Sequence, residues 1–174
     1  AAYTGGGALM SGFGETETIG APRVNADFFK VLGVEPILGR TFQTGEDVPG
    51  APRVTVLTYG LWQRRFGGDP NVIGRGVTIN DEGYQIIGVL PASFQFALRN
   101  NDLFLPYQPT DNQRTRRFMH GTNLIGRLKP GLSASDAEAN LKVIGSRIEQ
   151  EYNQSHAGTF PYVVPLQEEI VGNV

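Results

Sequence analysis

The sequence predicts an α+β domain, and three observations support this class. Of its 174 residues, 40% are hydrophobic and only 18% are charged, which is typical of chains that fold around a core. The 23 glycines and 11 prolines indicate many tight turns between short elements, which argues against a helical bundle. Runs of alternating apolar residues also occur beside segments with a helical apolar period.

The first third of the chain predicts strand, then helix. Residues 1–14 are rich in glycine and have no apolar period, so they predict a mobile loop or a ragged strand. Residues 16–24 indicate an edge strand, because the run contains a proline, which cannot donate to a neighbouring strand. Asn25 is the predicted cap of a helix over residues 26–32, and Gly33 is its predicted left-handed end.

A second helix follows a β-rich run. Residues 53–58 alternate and are rich in β-branched side chains, which predicts a strand. Thr58 is the predicted N-cap of a helix over residues 59–66. Trp62 and Phe66 lie four positions apart on it, so both should face the core.

Four further β segments are expected in the middle of the chain. Residues 75–80 and 84–91 predict a hairpin with its turn at residues 81–83. Residues 35–42 and 102–107 predict extended segments.

The last third predicts a β-α-β unit. Residues 123–131 indicate a strand, and residues 160–166 indicate another. Between them, Ser133 and Asp136 predict a capping box that starts a helix of about five turns. Its apolar stripe should cover a sheet; the stripe consists of Ala134, Ala137, Leu141, Ile144, Ile148 and Tyr152. The tail after residue 166 is helix-prone.

The stretch "RRFGGDP" at residues 64–70 is the first candidate for a ligand site. Arg64 and Arg65 fall in the last predicted turn of the second helix, where cations favour the negative end of the helix dipole. Gly67 is placed for a left-handed cap, and Pro70 prevents continuation. Since a phosphate site needs the opposite helix end, the stretch predicts a helix stop.

Charge and composition exclude several function classes. The net charge is −2 and the pI is 5.7, so no overall field attracts nucleic acid. The absence of cysteine removes disulfides and thiolate chemistry. No apolar run reaches the roughly 18 residues of a spanning helix, and no signal peptide opens the chain. The sequence thus predicts a soluble piece.

Candidate chemistry is sparse. His120 and His156 lie in different predicted loops without carboxylates at ligand spacing, so we expect no metal site. No G-x-S-x-G elbow is present, and the adjacent acid pairs, such as Glu46 with Asp47, are expected to face water. The remaining candidate is a basic loop containing Arg114, Arg116 and Arg117, which is either a contact site for an anionic group or protein partner or merely solvated.

Four segments in order resemble one known family. They are "APRVNADFFKVLGVEPILGRTF" at residues 21–42, "VTVLTYGLWQRRFGGDPNVIGRGVTINDEGYQIIGVLP" at 54–91, "LIGRLKPGLSASDAEANL" at 124–141, and "VVPLQEEIVGNV" at 163–174. Together they resemble the MacB-like periplasmic core domain of FtsX-like ABC transporter permeases, over residues 19–174.

The resemblance implies a fold with two parts. A porter-like βαβ subdomain would take residues 1–34 and 108–174, with more domain sequence expected before Ala1. A smaller mixed α/β subdomain, Sabre-like, would be inserted as residues 35–107. A membrane helix would follow the chain's last residue.

The resemblance also implies a non-catalytic role without a cofactor. ATP would be hydrolysed by a cytoplasmic ATPase domain, and the motion would pass through the permease's transmembrane helices to this domain on the periplasmic or extracellular face. Implied partners are a second permease copy and a periplasmic adaptor protein; nucleic acid is not among them. The motion would drive export or lipoprotein extraction.

Two other interpretations remain open. A free periplasmic or secreted ligand-binding module would need a pocket, and its ligand would raise its melting temperature. An enzyme such as a hydrolase would need a buried pair of carboxylates with raised pKa values in a cleft.

Overall fold

Short strands dominate the computed structural model, which describes residues 1–12, 14–96, 101–115, 121–152 and 161–171. Within these ranges the strands are β1 Ala2–Thr4, β2 Gly7–Ser11, β3 Glu17–Gly20, β4 Arg23–Val24, β5 Leu38–Gly39, β6 Val54–Leu57, β7 Gly76–Ile79, β8 Glu82–Val89, β9 Leu103–Pro106 and β10 Asn123–Leu124. The α-helices are α1 Phe28–Leu32, α2 Tyr59–Phe66, α3 Asp111–Thr115, α4 Ala134–Glu151 and α5 Leu166–Val171. The predicted α+β class is confirmed.

The chain divides into two compact units. Unit 1 contains residues 1–111 and 121–126, and unit 2 contains residues 112–120 and 127–174. All ten described strands lie in unit 1. The porter-like and inserted parts expected from the resemblance remain a prediction; hydrogen-bonded pairs β2–β7 and β4–β9 join strands from residues 1–34 to strands from residues 35–107.

The sheet of unit 1 is mixed and curled. Its strand order is β10-β1-β4-β9-β6-β8-β7-β2-β3, with β5 on β8. β4–β9 and β6–β8 are parallel, whereas the other pairs are antiparallel. β1 followed by β2 forms one side of a bent two-stranded ribbon, and β3 followed by β4 forms the other side. A hydrogen bond from the Ala21 N–H to the Gly6 carbonyl joins the two sides between the strand pairs. The ribbon pairs through β4 with β9 and through β2 with β7, which are the outer strands of the run β9-β6-β8-β7.

Apolar side chains cover both faces of this sheet. Successive residues of a strand point to opposite faces, and in β9 Leu103 and Leu105 join one core cluster whereas Phe104 joins the other. The first cluster packs under α2 through Leu61, Trp62 and Phe66. The second cluster packs under α1 through two phenylalanines. Two helices therefore fix unit 1 from opposite sides.

The predicted second helix is confirmed at both ends. The Thr58 hydroxyl accepts a hydrogen bond from the Leu61 N–H at 3.3 Å and donates one to the Asp102 carbonyl at 2.8 Å. Gly67 ends the helix with φ 61°, in the left-handed region that glycine adopts without strain. The Trp62 indole donates to the Asp69 carbonyl at 2.9 Å, so its polar atom is satisfied while its ring is buried.

For the first third, one open prediction is decided and another is corrected. Of the mobile loop and the ragged strand left open for residues 1–14, the strand is present, as β1 and β2, because bonds to distant strands order these residues. Asn25 does not cap α1: the N-cap is Asp27, which makes no side-chain cap bond. The Asn25 side chain instead accepts from the Ala2 N–H at 2.9 Å. Gly33 ends α1 as predicted, with φ 70°.

The predicted hairpin is present, but its turn lies earlier. Asn80 and Asp81 form it with φ values of 49° and 63°, and β8 begins at Glu82. A two-residue turn with both φ values positive suits asparagine and aspartate and matches strand twist. The Asn80 side chain also accepts from the Leu9 N–H at 2.8 Å, which ties the turn to β2.

The predicted strand over residues 160–166 is wrong where the structure describes it. Residues 161–165 are not in a strand, and α5 begins at Leu166. Pro161 and Pro165 lack the N–H groups that a paired strand donates. The expected β-α-β unit is therefore not formed by these residues, and the strand predicted at 123–131 is reduced to β10. The helix-prone tail is confirmed by α5.

Helix α4 begins as predicted but buries little. Ser133 and Asp136 form the capping box. Hydrogen bonds from Ser133 lower the pKa of Asp136. The expected burial of the stripe on a sheet is wrong: Ile144 is 50% exposed and Ile148 is 37% exposed.

Candidate functional site

The predicted basic loop lies mostly outside the described residues. Arg114 belongs to α3, and nothing of its side chain is described, while Arg116, Arg117 and His120 lie outside the described ranges, as does His156. The partner contact expected at Arg114, Arg116 and Arg117 therefore remains a prediction.

The arginines of "RRFGGDP" belong to a cluster of charged side chains on unit 1. Arg64 donates to the Glu17 carboxylate at 2.8 Å and to the Asp102 carboxylate at 3.0 Å. The second Asp102 oxygen accepts from the Gly20 N–H at 3.0 Å. Because the guanidinium is a planar fork of donors, one side chain of α2 connects β3 to the residue before β9.

Arg65 reinforces the same connection. It donates from Nη2 to the Glu15 carbonyl at 2.6 Å, and its Nε lies 3.6 Å from a Glu17 oxygen. That Nε is buried and has no hydrogen-bond partner among the described atoms. Sequence reasoning identified the helix end but missed these contacts, because Glu15 and Glu17 carry no local signal that points to α2.

An open cleft of about 520 Å³ lies beside the cluster. Its lining consists of Gly6, Glu17, Thr18, Ile19, Gly20, Arg64 and Asp102. Hydrogen bonding to Asp102 raises the pKa of Arg64, so this guanidinium stays charged. Both carboxylates already accept from it, and the cluster is built to hold strands together rather than to abstract a proton.

A second charged contact fastens the loop after β5. Arg40 donates to both Glu46 oxygens, at 2.9 and 2.6 Å, and the Gln43 N–H donates to the same carboxylate at 2.8 Å. The Gln108 side chain donates to the Glu46 carbonyl at 2.7 Å. The neighbouring Asp47 accepts from the Ala26 N–H at 2.9 Å. The expectation that this acid pair faces water is therefore wrong.

This contact predicts an acid-sensitive stability. The Arg40 hydrogen bond holds the pKa of Glu46 below its ordinary value. A carboxylate with a lowered folded-state pKa stabilises the fold above its unfolded pKa, about 4.3, and that stability is lost as pH falls through the folded pKa. Glu46→Gln should lower the free energy of unfolding on the order of 1 kcal/mol at neutral pH, with the difference disappearing as the pH falls through the lowered folded-state pKa of Glu46.

Urea unfolding of both proteins across this pH range measures the effect. Glu82→Gln is the matched control, since Glu82 pairs with Arg53 at 2.6 Å while both side chains are about half exposed; its effect should be smaller. A difference between wild type and Glu46→Gln that persists unchanged at acid pH would contradict the assignment to ionised Glu46.

Unit 2 presents apolar side chains outward. Among its described residues, only Gly145 is buried. We call Ala137, Leu141, Ile144, Ile148 and Tyr152 the α4 stripe, which lies along one helix face. The exposed pair of the stripe is Ile144 and Ile148. Such exposed apolar rows on a helix are typical of protein contact surfaces.

The described ranges show neither a cluster of metal-binding side chains nor a membrane-spanning helix. No group of three or more histidine, cysteine, aspartate or glutamate side chains there could hold a metal ion. In the same ranges no helix is both long and apolar enough to cross a bilayer.

Comparisons with known proteins agree on one family and one fold. The sequence profile described as MacB-like periplasmic core domain matches residues 1–144. The periplasmic region of MacB from Actinobacillus actinomycetemcomitans is similar in structure, with 20% identity, a TM-score of 0.61, and coverage of 90% of this chain and 69% of that chain. No curated protein matches the sequence significantly.

Two further solved structures are similar. The extracellular domain of the noncanonic ABC-type transporter YknZ from Gram-positive bacteria has 13% identity and a TM-score of 0.59, and the match covers 90% of this chain and 78% of that one. A domain of a permease protein from Porphyromonas gingivalis has 20% identity and a TM-score of 0.59, covering 98% and 80% respectively. At such identities these likenesses establish the fold alone.

Proposed function

This chain belongs to the family of MacB-like periplasmic core domains, and from that membership we propose that it is a non-catalytic coupling domain of an ABC transporter permease. Membership of this family supports a position on the periplasmic or extracellular side. In the proposed mechanism, ATP hydrolysis at a cytoplasmic ATPase moves the permease's transmembrane helices. The domain passes that motion on through protein contacts, which drives export or lipoprotein extraction.

The exposed α4 stripe is the observation that supports this role most directly. Ile144 and Ile148 are large apolar side chains at 50% and 37% exposure, and covering such surface is favourable by about 25 cal/mol per Å². A domain that works by contact needs a surface of this kind. The proposed contact partners are a second permease copy, the permease's own membrane part and a periplasmic adaptor protein.

The full-length permease with its ATPase allows a direct test. Ile144→Asp with Ile148→Asp places two carboxylates on the α4 stripe, where burial of an unpaired charge is costly. We expect export to fall several-fold while ATP hydrolysis and membrane abundance persist. Transport measured beside ATPase activity in the same proteoliposomes separates lost coupling from lost protein.

Val143→Asp is the matched control for this experiment. Val143 lies on the same helix, is 54% exposed, and points away from the stripe by helical geometry. It should leave export near the wild-type level. Unchanged export in the stripe variant, or equal losses in both variants, would contradict the proposal.

The basic loop is a second proposed contact site, and charge reversal at Arg114, Arg116 and Arg117 tests it in the same assay. Unchanged export in that variant would contradict a partner contact at these three arginines.

A further inference from the structure

The curled sheet of unit 1 comes close to closing at one place. There, β3 faces the residue that precedes β9: the Asp102 N–H donates to the Gly20 carbonyl at 2.9 Å, and the Gly20 N–H donates to the Asp102 carboxylate at 3.0 Å. We call this boundary, formed by β3 on one side and Asp102 with Arg64 on the other, the seam. One main-chain bond and one side-chain bond join its sides at Gly20.

Beyond Gly20 the seam has no ladder of strand hydrogen bonds. Among the described strands, β3 pairs with β2 alone. Thr18 lies opposite Leu9 in that pair, and Leu9 uses both its N–H and its carbonyl for Asn80. By strand alternation, the main-chain groups of Thr18 therefore point towards the seam. The cleft of about 520 Å³ is the gap at this position.

Arg64 bridges the gap where the ladder is missing. Its guanidinium contacts Glu17 on β3 and Asp102 on the opposite side, at 2.8 and 3.0 Å. Without this cation, the two carboxylates would repel each other across the seam, and Arg65, whose Nε lies 3.6 Å from a Glu17 oxygen, would offset only part of that repulsion. Behind the gap, Ile19 is only 2% exposed and belongs to the first core cluster. Opening at the seam would therefore expose core.

We propose that the seam is the point at which the sheet of unit 1 opens, and that Arg64 is its latch. Of the two neighbouring arginines, Arg64 contacts both carboxylates, whereas Arg65 reaches Glu17 and the Glu15 carbonyl but not Asp102. Release of Arg64 therefore removes the attraction that joins the two sides of the seam. The other boundaries between neighbouring strands of the curled sheet rest on paired main-chain bonds. A role of this opening in transport rests on the proposed function. The opening itself is a property of the chain and can be measured without transport.

The lack of cysteine in the sequence makes thiol labelling a clean measurement. Ile19→Cys places a thiol behind the seam, and a buried thiol reacts with a soluble maleimide only when the structure opens. Adding Arg64→Ala should raise the labelling rate about tenfold, the size expected for losing two partly exposed ion pairs.

Val77→Cys is the control thiol. Val77 is 3% exposed and lies in β7, two strands away from β3. Arg64→Ala should change its labelling rate far less than that of Ile19→Cys. An equal acceleration at both thiols would mean that Arg64 supports only global stability, and no acceleration at Ile19→Cys would mean that Arg64 is no latch. Either result overturns the proposal.

A second variant tests the repulsion itself. In the Arg64→Ala background, Glu17→Gln removes one of the two facing carboxylates while keeping the side chain's size. Labelling of Ile19→Cys should slow part of the way back to the wild-type rate. High salt should slow it in the single variant as well, since mobile ions screen the remaining pair. Faster or unchanged labelling in the double variant contradicts a latch that acts on these charges.

Discussion

Replacing Phe104 by alanine should lower the free energy of unfolding by about 4 kcal/mol. Phe104 is fully buried at the centre of β9. Its ring lies 5.2 Å from that of Phe29, 5.8 Å from that of Phe94 and 6.0 Å from that of Phe28. Truncation leaves a cavity among aromatic rings that cannot easily collapse, and such pairs add stability beyond the area they bury. Since small domains are stable by only about 5–15 kcal/mol, this loss is a large share.

Equilibrium unfolding in urea measures this loss, provided that the slope of the transition is unchanged. Leu124→Ala is a suitable control, because Leu124 is also an apolar strand residue but is 76% exposed. It should shift stability by less than about 0.5 kcal/mol. A Phe104→Ala protein as stable as the control would show that the second core cluster is not packed as described.

Gly88→Ala should cost about 3 kcal/mol, for a different reason. A methyl group at Gly88 would lie 2.1 Å from the Arg40 carbonyl oxygen, well inside van der Waals contact. The obstacle is main chain, so it cannot rotate away. Arg40 also donates from its N–H to the Ile87 carbonyl at 2.8 Å. Relieving the clash therefore means pulling β5 away from β8.

Gly83→Ala is the matched control within the same strand. A methyl group there meets no atom within 4 Å, and alanine restricts the unfolded chain more than glycine does. Its stability should equal or slightly exceed that of the wild type. Thermal unfolding of the two variants side by side measures the contrast, and similar melting temperatures would refute the close approach of β5 and β8.

The substituted positions differ in how directly they affect the proposed function. The clash at Gly88 and the rings around Phe104 concern the scaffold of unit 1, so variants there should reduce export only as far as they reduce the amount of folded protein. The α4 stripe should behave in the opposite way, with normal folding and impaired export. Measuring both classes in one permease would separate scaffold from contact surface.

Local sequence signals determined the elements whose physics acts within one or two turns. Thr58 and Gly67 bound α2, and Ser133 with Asp136 begins α4, because caps bond to main-chain groups only two or three residues away. β6 and the hairpin of β7 and β8 were also predicted from local signals, namely β-rich runs and a short turn between neighbouring strands. The order of the four segments that resemble the MacB-like periplasmic core domain also identified the family from the sequence.

Only the tertiary structure decided what the polar side chains contact. Arg64 lies in the last turn of α2 as its sequence position predicts, yet its partners lie 47 and 38 residues away along the chain, and no local pattern encodes such a distance. Asn25 is a residue type that often caps helices, but its side chain accepts a hydrogen bond from the Ala2 N–H instead, because the fold brings β1 next to it. The sequence determined both ends of α2 and the start of α4 through short-range bonds. The fold decided which charges meet, because that depends on how the whole sheet curls.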